Sequence, residues 1–192
     1  MKNKIINHVV TKLVCDDIIE ESDREIYQYG LQQCLATCFN WVCTIAIGIW
    51  FKMLWESVFF IIVFIPLRTY VGGYHAKTQL LCHVYSVLVI VIVMELIKNL
   101  NFSLAYDIPL AILCAFAIGT ITPVESKNKK LSVGEKKKYK KKSMIVLGIE
   151  IVILFLGIVF EKKIIANLIT LNLIVVSILA LMGYICRQEE NI

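Results

Sequence analysis

Six apolar runs, at residues 30–51, 54–67, 80–97, 104–122, 143–160 and 164–186, leave this chain of 192 residues few ways to fold. A helix needs about 20 apolar residues to cross a bilayer. Inside hydrocarbon each backbone N–H and C=O must find a partner, which a helix supplies within its own segment. The expectation is an all-α membrane protein forming a single integral-membrane domain over residues 1–192: six hydrophobic segments in a bundle over 30–186, preceded by an amphipathic helix. At 58% hydrophobic, the composition lies above the roughly half-apolar usage of soluble domains, and six segments leave no room for a separate soluble domain. The second run has only 14 residues and carries Glu56, short even against the lower limit of about 17. It either spans by tilting or thinning the bilayer, or dips in and returns.

Residues 1–29 precede the first run. Ile5, Ile6, Val9, Val10, Leu13 and Val14 recur at helical spacing and are followed by Asp16, Asp17, Glu20, Glu21, Asp23, Arg24 and Glu25. Such a helix either lies in the interface with its apolar face buried or packs on its own bundle. The stretch lacks the apolar core of a cleavable signal peptide, so insertion is expected to use the spans themselves. The seven cysteines are an odd number scattered mostly through apolar runs, which is not a disulfide framework. Cys34 and Cys38 share a helical face, but structural zinc needs four ligands and no second pair stands near them. They and Cys43 read as small buried hydrophobes, and neither a metal nor a cofactor is expected.

Lys and Arg set the orientation, because cytoplasmic loops carry their excess. With six crossings and the N-terminus inside, sixteen of the 20 basic residues fall on the inside and four, Lys52, Lys98, Lys162 and Lys163, on the outside. Both termini and the polar island 68–82 are thus expected at the cytoplasmic face. So is the basic loop 125–142, with nine lysines between Lys127 and Lys142. That loop reads as a topology determinant in contact with anionic lipid, or as a docking surface for an acidic peptide; no nucleic-acid partner is expected. Glu150 falls near the middle of the fifth run, where an ionisable group is costly and a functional candidate by default. It is either that or a protonated or hydrogen-bonded packing residue. Asn167 and Asn172 read as helix-to-helix bonds.

The island 68–82 holds His75 and Cys82 behind the glycine pair Gly72 and Gly73. A thiolate is the nucleophile of a cysteine enzyme and is generated by a nearby base or a helix N-terminus. Cys82 opens the third run, and His75 is the nearest preceding histidine. Seven residues on one straight helix would hold the two roughly 10 Å apart along the axis, whereas proton transfer needs about 3 Å. The chain must therefore bend between them, and the glycines favour a bend. His83 is the rival base, turned about 100° away from Cys82 on a helix. No HExxH pattern or other familiar metal spacing is present.

Arg68, Tyr70, Gly72, Gly73, His75, Ala76 and Cys82, read as R-x-Y-x-G-G-x-H-A-x5-C, resemble the signature of the accessory gene regulator B family of membrane cysteine endopeptidases. Pro123, Asn128, Lys129 and Leu131 resemble that family's second patch, and the resemblance covers nearly the whole chain. It implies a bacterial quorum-sensing enzyme, generally a homodimer, that cuts a small signal-peptide precursor near its C-terminus at the cytoplasmic face of the cell membrane. Cys82 and His75 would be catalytic, with Arg68, Gly72 and Gly73 supporting. Cys82 would hold the precursor as a thioester, and an internal Cys or Ser would close a thiolactone or lactone. The acidic tail of such a precursor would meet the basic loop, where Glu125, Asn128, Lys129 and Lys130 are candidate substrate contacts. Glu125, Asn128 and Glu150 are candidates to orient His75. Arg68 could hold a carboxylate of the precursor or anchor the island to lipid phosphate, and the glycines could offer N–H groups to an oxyanion or simply form a turn. Two other classes compete: a small transporter or channel using Glu150 and Asn172, and a non-catalytic membrane protein that recruits a peptide.

Overall fold

The computed structural model describes residues 2–73, 79–99, 104–124 and 132–189. Among the described residues there are seven α-helices, α1 (Lys2–Cys15), α2 (Arg24–Phe51), α3 (Leu54–Val71), α4 (Gln79–Asn99), α5 (Leu104–Ile121), α6 (Val133–Val159) and α7 (Lys163–Glu189). Among the described residues there is no strand, only an isolated parallel bridge between Gly72 and Val124. The all-α membrane fold is the one the apolar runs imply. By length and composition α2, α3, α4, α6 and α7 can each cross a membrane, while the apolar stretch of α5, Tyr106–Ile121, is shorter.

The chain divides into two compact units, Met1–Cys43 and Thr44–Ile192. In the first, Ile6, Val10 and Ile19 are buried and pack with Leu13, Val14 and Leu31. Gln28 donates to Asn7 Oδ1 over 2.8 Å, and Arg24 bonds both Thr11 Oγ1 at 2.6 Å and Glu21 at 2.7 Å. The apolar face of α1 is thus covered at Ile6 and Val10 by residues of the same unit, while Val9 on the same helix remains exposed.

In the second unit α7 is the axis, packing against α3, α4, α5 and α6. Residues 166–173 are buried without a break. Lipid tails are as apolar as Leu, so close approach and interhelical bonding, rather than water exclusion, hold such helices together. Gly157 of α6 lets Ala166 of α7 come near: a side-chain carbon at 157 would sit 3.2 Å from the Ala166 nitrogen. Leu67, Val71, Ile118, Leu147, Leu154, Ile169, Leu173 and Val176 form one buried cluster with Val124. Phe60, Ile90, Val93, Met94, Leu168 and Leu171 form the other.

Three helix ends differ from the apolar runs. The second run, read as 14 residues, is an 18-residue helix because α3 continues through Arg68–Val71. That length reaches the spanning range. The island 68–82 therefore begins as the last turn of α3, and α4 begins within it at Gln79, one residue ahead of the third apolar run. The basic stretch 125–142, also read as a loop, is helical from Val133 onward. A capping box starts α6: Glu135 N–H donates to Ser132 Oγ at 3.3 Å, and Ser132 N–H to Glu135 Oε2 at 2.8 Å. Pairing those end groups reciprocally stabilises a first turn, and the lysines that follow are carried on a rigid helix.

Candidate functional site

The island sits where α3 stops, and glycine stops it. Gly72 has φ 78 and Gly73 φ 124, a region closed to most L side chains. Space forbids a side chain as well: a carbon added at Gly72 would strike the Val124 carbonyl oxygen, and one at Gly73 would lie 2.6 Å from the Leu179 carbonyl oxygen of α7. Val124 N–H donates to the Val71 carbonyl at 2.9 Å, just after the cis Thr122–Pro123 peptide bond. The two patches picked out in the sequence, around Gly72 and around Pro123, thus meet as one piece of structure.

Arg68 stands on the last turn of α3, half-buried. Its Nη1 donates to the Gly72 carbonyl and lies 2.7 Å from where a side-chain carbon at Gly73 would sit. Cys82 is the fourth residue of α4, a free and exposed thiol, close to the unpaired N–H groups of the helix start. Its carbonyl accepts a 3.0 Å bond from Ser86 Oγ. His83 follows it at intermediate exposure. His75 lies outside the described residues, as do Glu125, Asn128, Lys129 and Lys130.

The start of α6 reaches the same end of the bundle. Tyr139 meets Tyr70 edge-on, ring centroids 5.9 Å apart, and Lys142 Nζ stands 5.1 Å over the Tyr70 ring. Lys136, Lys137, Lys138, Lys140, Lys141 and Lys142 are all exposed. Neither aromatic contact was foreseen; the one signal for them is a single tyrosine set among lysines.

Glu150 lies elsewhere. It is buried in α6 and accepts a 2.8 Å bond from Asn172 Nδ2 of α7, the hydrogen-bonded packing arrangement. The structure joins Glu150 to Asn172 and not to Cys82. Asp107 of α5 is also buried, beside Thr170 of α7. A groove between α5 and α6 is lined by apolar side chains, among them Ile108, Ala111, Ile112, Ala115, Ile151 and Phe155, and offers no polar group for chemistry. Among the described residues no cluster of three or more His, Cys, Asp or Glu could hold a metal ion.

The family model described as accessory gene regulator B matches residues 3–181. A putative AgrB-like protein 2 of Clostridium perfringens is 28% identical over 163 residues, covering 78% of this chain and 76% of the relative. The accessory gene regulator protein B of Staphylococcus intermedius is 28% identical over 117 residues, 61% of this chain and 62% of its own length. Protein FsrB of Enterococcus faecalis is 28% identical over 163 residues, with 80% and 63% covered. No solved structure matches the chain.

Proposed function

The chain belongs to the accessory gene regulator B family, and from that premise we propose that it is a membrane cysteine endopeptidase that matures an autoinducer peptide in quorum sensing. The observation that carries this reading is the exposed free thiol of Cys82 on the first turn of α4, in the chain just after the glycine turn whose carbonyl Arg68 holds.

In this mechanism His75 takes the proton from Cys82 Sγ, and the thiolate attacks the scissile carbonyl of the precursor. The C–S bond forms and the negative charge passes to the carbonyl oxygen. As it returns, the C–N bond breaks, and the amine of the C-terminal tail leaves with the proton from His75. The remaining peptide is held as a thioester, which conserves the leaving ability that ring closure requires. An internal Cys or Ser then gives its proton to the base and attacks, releasing a thiolactone or lactone and returning the proton to Cys82 Sγ. Water competes for the thioester, so a secluded membrane-edge site favours cyclisation over hydrolysis.

The lysines at the start of α6, with Lys129, Lys130, Glu125 and Asn128, contact the precursor's tail and the anionic lipid around it. The excess of basic residues on the segments at this end supports a cytoplasmic placement, and two copies form the working enzyme. The transporter reading rests on Glu150 and Asn172, whose mutual bond supports a packing role instead. Co-expression with the cognate precursor tests the proposal. The expected product is a shortened, cyclic peptide, lost in Cys82→Ala and His75→Ala; processing retained in either variant would refute the assignment.

A further inference from the structure

Charged and aromatic side chains mark two levels along the second unit, and the helices between those levels are short. At one level Lys98 Nζ of α4 stands 5.7 Å from the centroid of the Phe51 ring, which closes α2, and Trp55 is exposed on the first turn of α3. At the other, Tyr70 of α3 meets Tyr139 and Lys142 of α6. Such aromatic and ammonium groups sit where a bilayer meets water. Trp55 and Tyr70 are 15 positions apart on α3, about 22 Å of helix. Lys98 and Cys82 are 16 positions apart on α4, about 24 Å. Lys142 and the exposed Phe160 that caps α6 are 18 apart, about 27 Å. Between the same levels runs α5, because Val124 just after it pairs with the end of α3; its apolar stretch Tyr106–Ile121 covers about 22 Å. The hydrocarbon core of a typical bilayer is about 30 Å thick. Tilt, and the Pro66 inside α3, only shorten the depth that each helix covers.

We propose that the outer surface of α3, α4, α5 and α6 fits a bilayer several ångströms thinner than the ordinary one, made of short-chain phospholipid or drawn in around the protein. Between the two levels the exposed side chains include Ile62, Ile92, Ile112 and Val152, which belong in hydrocarbon. At the levels themselves stand ammonium groups, which are costly to submerge. Neither Lys98 nor Lys142 reaches outward to escape a thicker core: each ammonium lies against a ring of its own level. The consequence for Cys82 is one of depth. In an undeformed core of about 30 Å, a thiol about 24 Å from the Lys98 level would lie beneath the headgroups, whereas a thinned core brings it to their level. The thinning rests on helix lengths; only its benefit to processing rests on the reading of Cys82 as the nucleophile.

The test uses the full chain in lipid vesicles and reads its own fluorescence. Trp50 and Trp55 are exposed near one of the two levels, where lipid in contact with the protein quenches them if it carries bromine. Brominated dioleoyl phosphatidylcholine is mixed in turn with dimyristoleoyl, dioleoyl and dierucoyl phosphatidylcholine, and competition for the protein surface gives the relative affinity of each. The expected order is dimyristoleoyl, the thinnest, tightest and dierucoyl, the thickest, weakest, over a range of about tenfold, the scale of a mismatch of several ångströms. Equal affinities, or tightest binding of the dioleoyl or dierucoyl lipid, would overturn the proposal. Lys98→Leu combined with Lys52→Leu removes the ammonium groups from one level and should move the preference toward dioleoyl lipid; an unmoved preference would overturn the proposal as well. Should that variant fail to fold, the order of affinities in the native chain decides alone. No precursor is present in these vesicles, so failure of the nucleophile reading is seen separately, as processing that survives Cys82→Ala.

Discussion

Val124 lies in parallel register beside Gly72, and its N–H holds the carbonyl of the residue before that glycine. Through this one bridge the end of α3 and the residues just after α5 share a backbone contact.

The glycines at this bridge should tolerate no substitution. Gly72→Ala and Gly73→Ala each place a Cβ on a positive-φ backbone and against a carbonyl oxygen, a strain on the order of 1–3 kcal/mol before the clash is counted. Processing should be lost, and yield in detergent should fall. Gly148→Ala, where an added carbon meets nothing within 4 Å, should instead be neutral or stabilising by about 0.5–1 kcal/mol, as in any helix interior. Size-exclusion profiles and precursor conversion, measured side by side, check both.

Tyr70 should act through its ring. Tyr70→Phe keeps the edge-on contact with Tyr139 and the Lys142 ammonium over its face, whereas Tyr70→Ala removes both. Such contacts are worth about 0.5–1.5 kcal/mol. The expectation is a lowered thermal midpoint in detergent for Tyr70→Ala and a near-native one for Tyr70→Phe. Equal effects would mean that the hydroxyl matters more than the ring.

How much of this could be read in advance depended on what marks each feature. The six apolar runs became α2 to α7 because hydrocarbon thickness dictates a length that composition displays. The helix ends were misread at Arg68–Val71 and Val133–Lys142 because backbone bonding continues a helix after its side chains turn polar. Gly72 and Gly73 announced a turn, but their neighbours Val124 and Leu179 were hidden: a backbone carbonyl oxygen leaves no trace in residue identity. Asn172 was expected to bond another helix, and it does; that its partner is Glu150 follows from helix register, which a single apolar pattern does not specify.

The Glu150–Asn172 bond joins α6 to α7 inside the bundle. Glu150→Gln preserves an acceptor for Asn172 Nδ2 and should process precursor at the native rate. Asn172→Leu deletes the bond and should cost roughly 0.6 kcal/mol, with about 1.7 as an upper value for such pairs in membranes. Unfolding in mixed micelles reads the second; a transport function would instead appear as proteoliposome flux abolished by Glu150→Gln.

Thiol accessibility separates Cys82 from Cys114. Cys82 is exposed and Cys114 buried in α5, so a water-soluble maleimide applied to the folded protein should modify the first at least tenfold faster than the second, since only an accessible thiolate reacts. Comparable rates would place the start of α4 in a different environment from the one described.

The covalent intermediate gives the most direct test of the whole account. Purified enzyme mixed with precursor and quenched in acid within one turnover should carry, on the peptide containing Cys82, the mass of the precursor less its C-terminal tail. Hydroxylamine should release it, as expected of a thioester. A chain in which Cys82→Ala still converts precursor, or in which the adduct maps to another residue, would contradict the role assigned to Cys82.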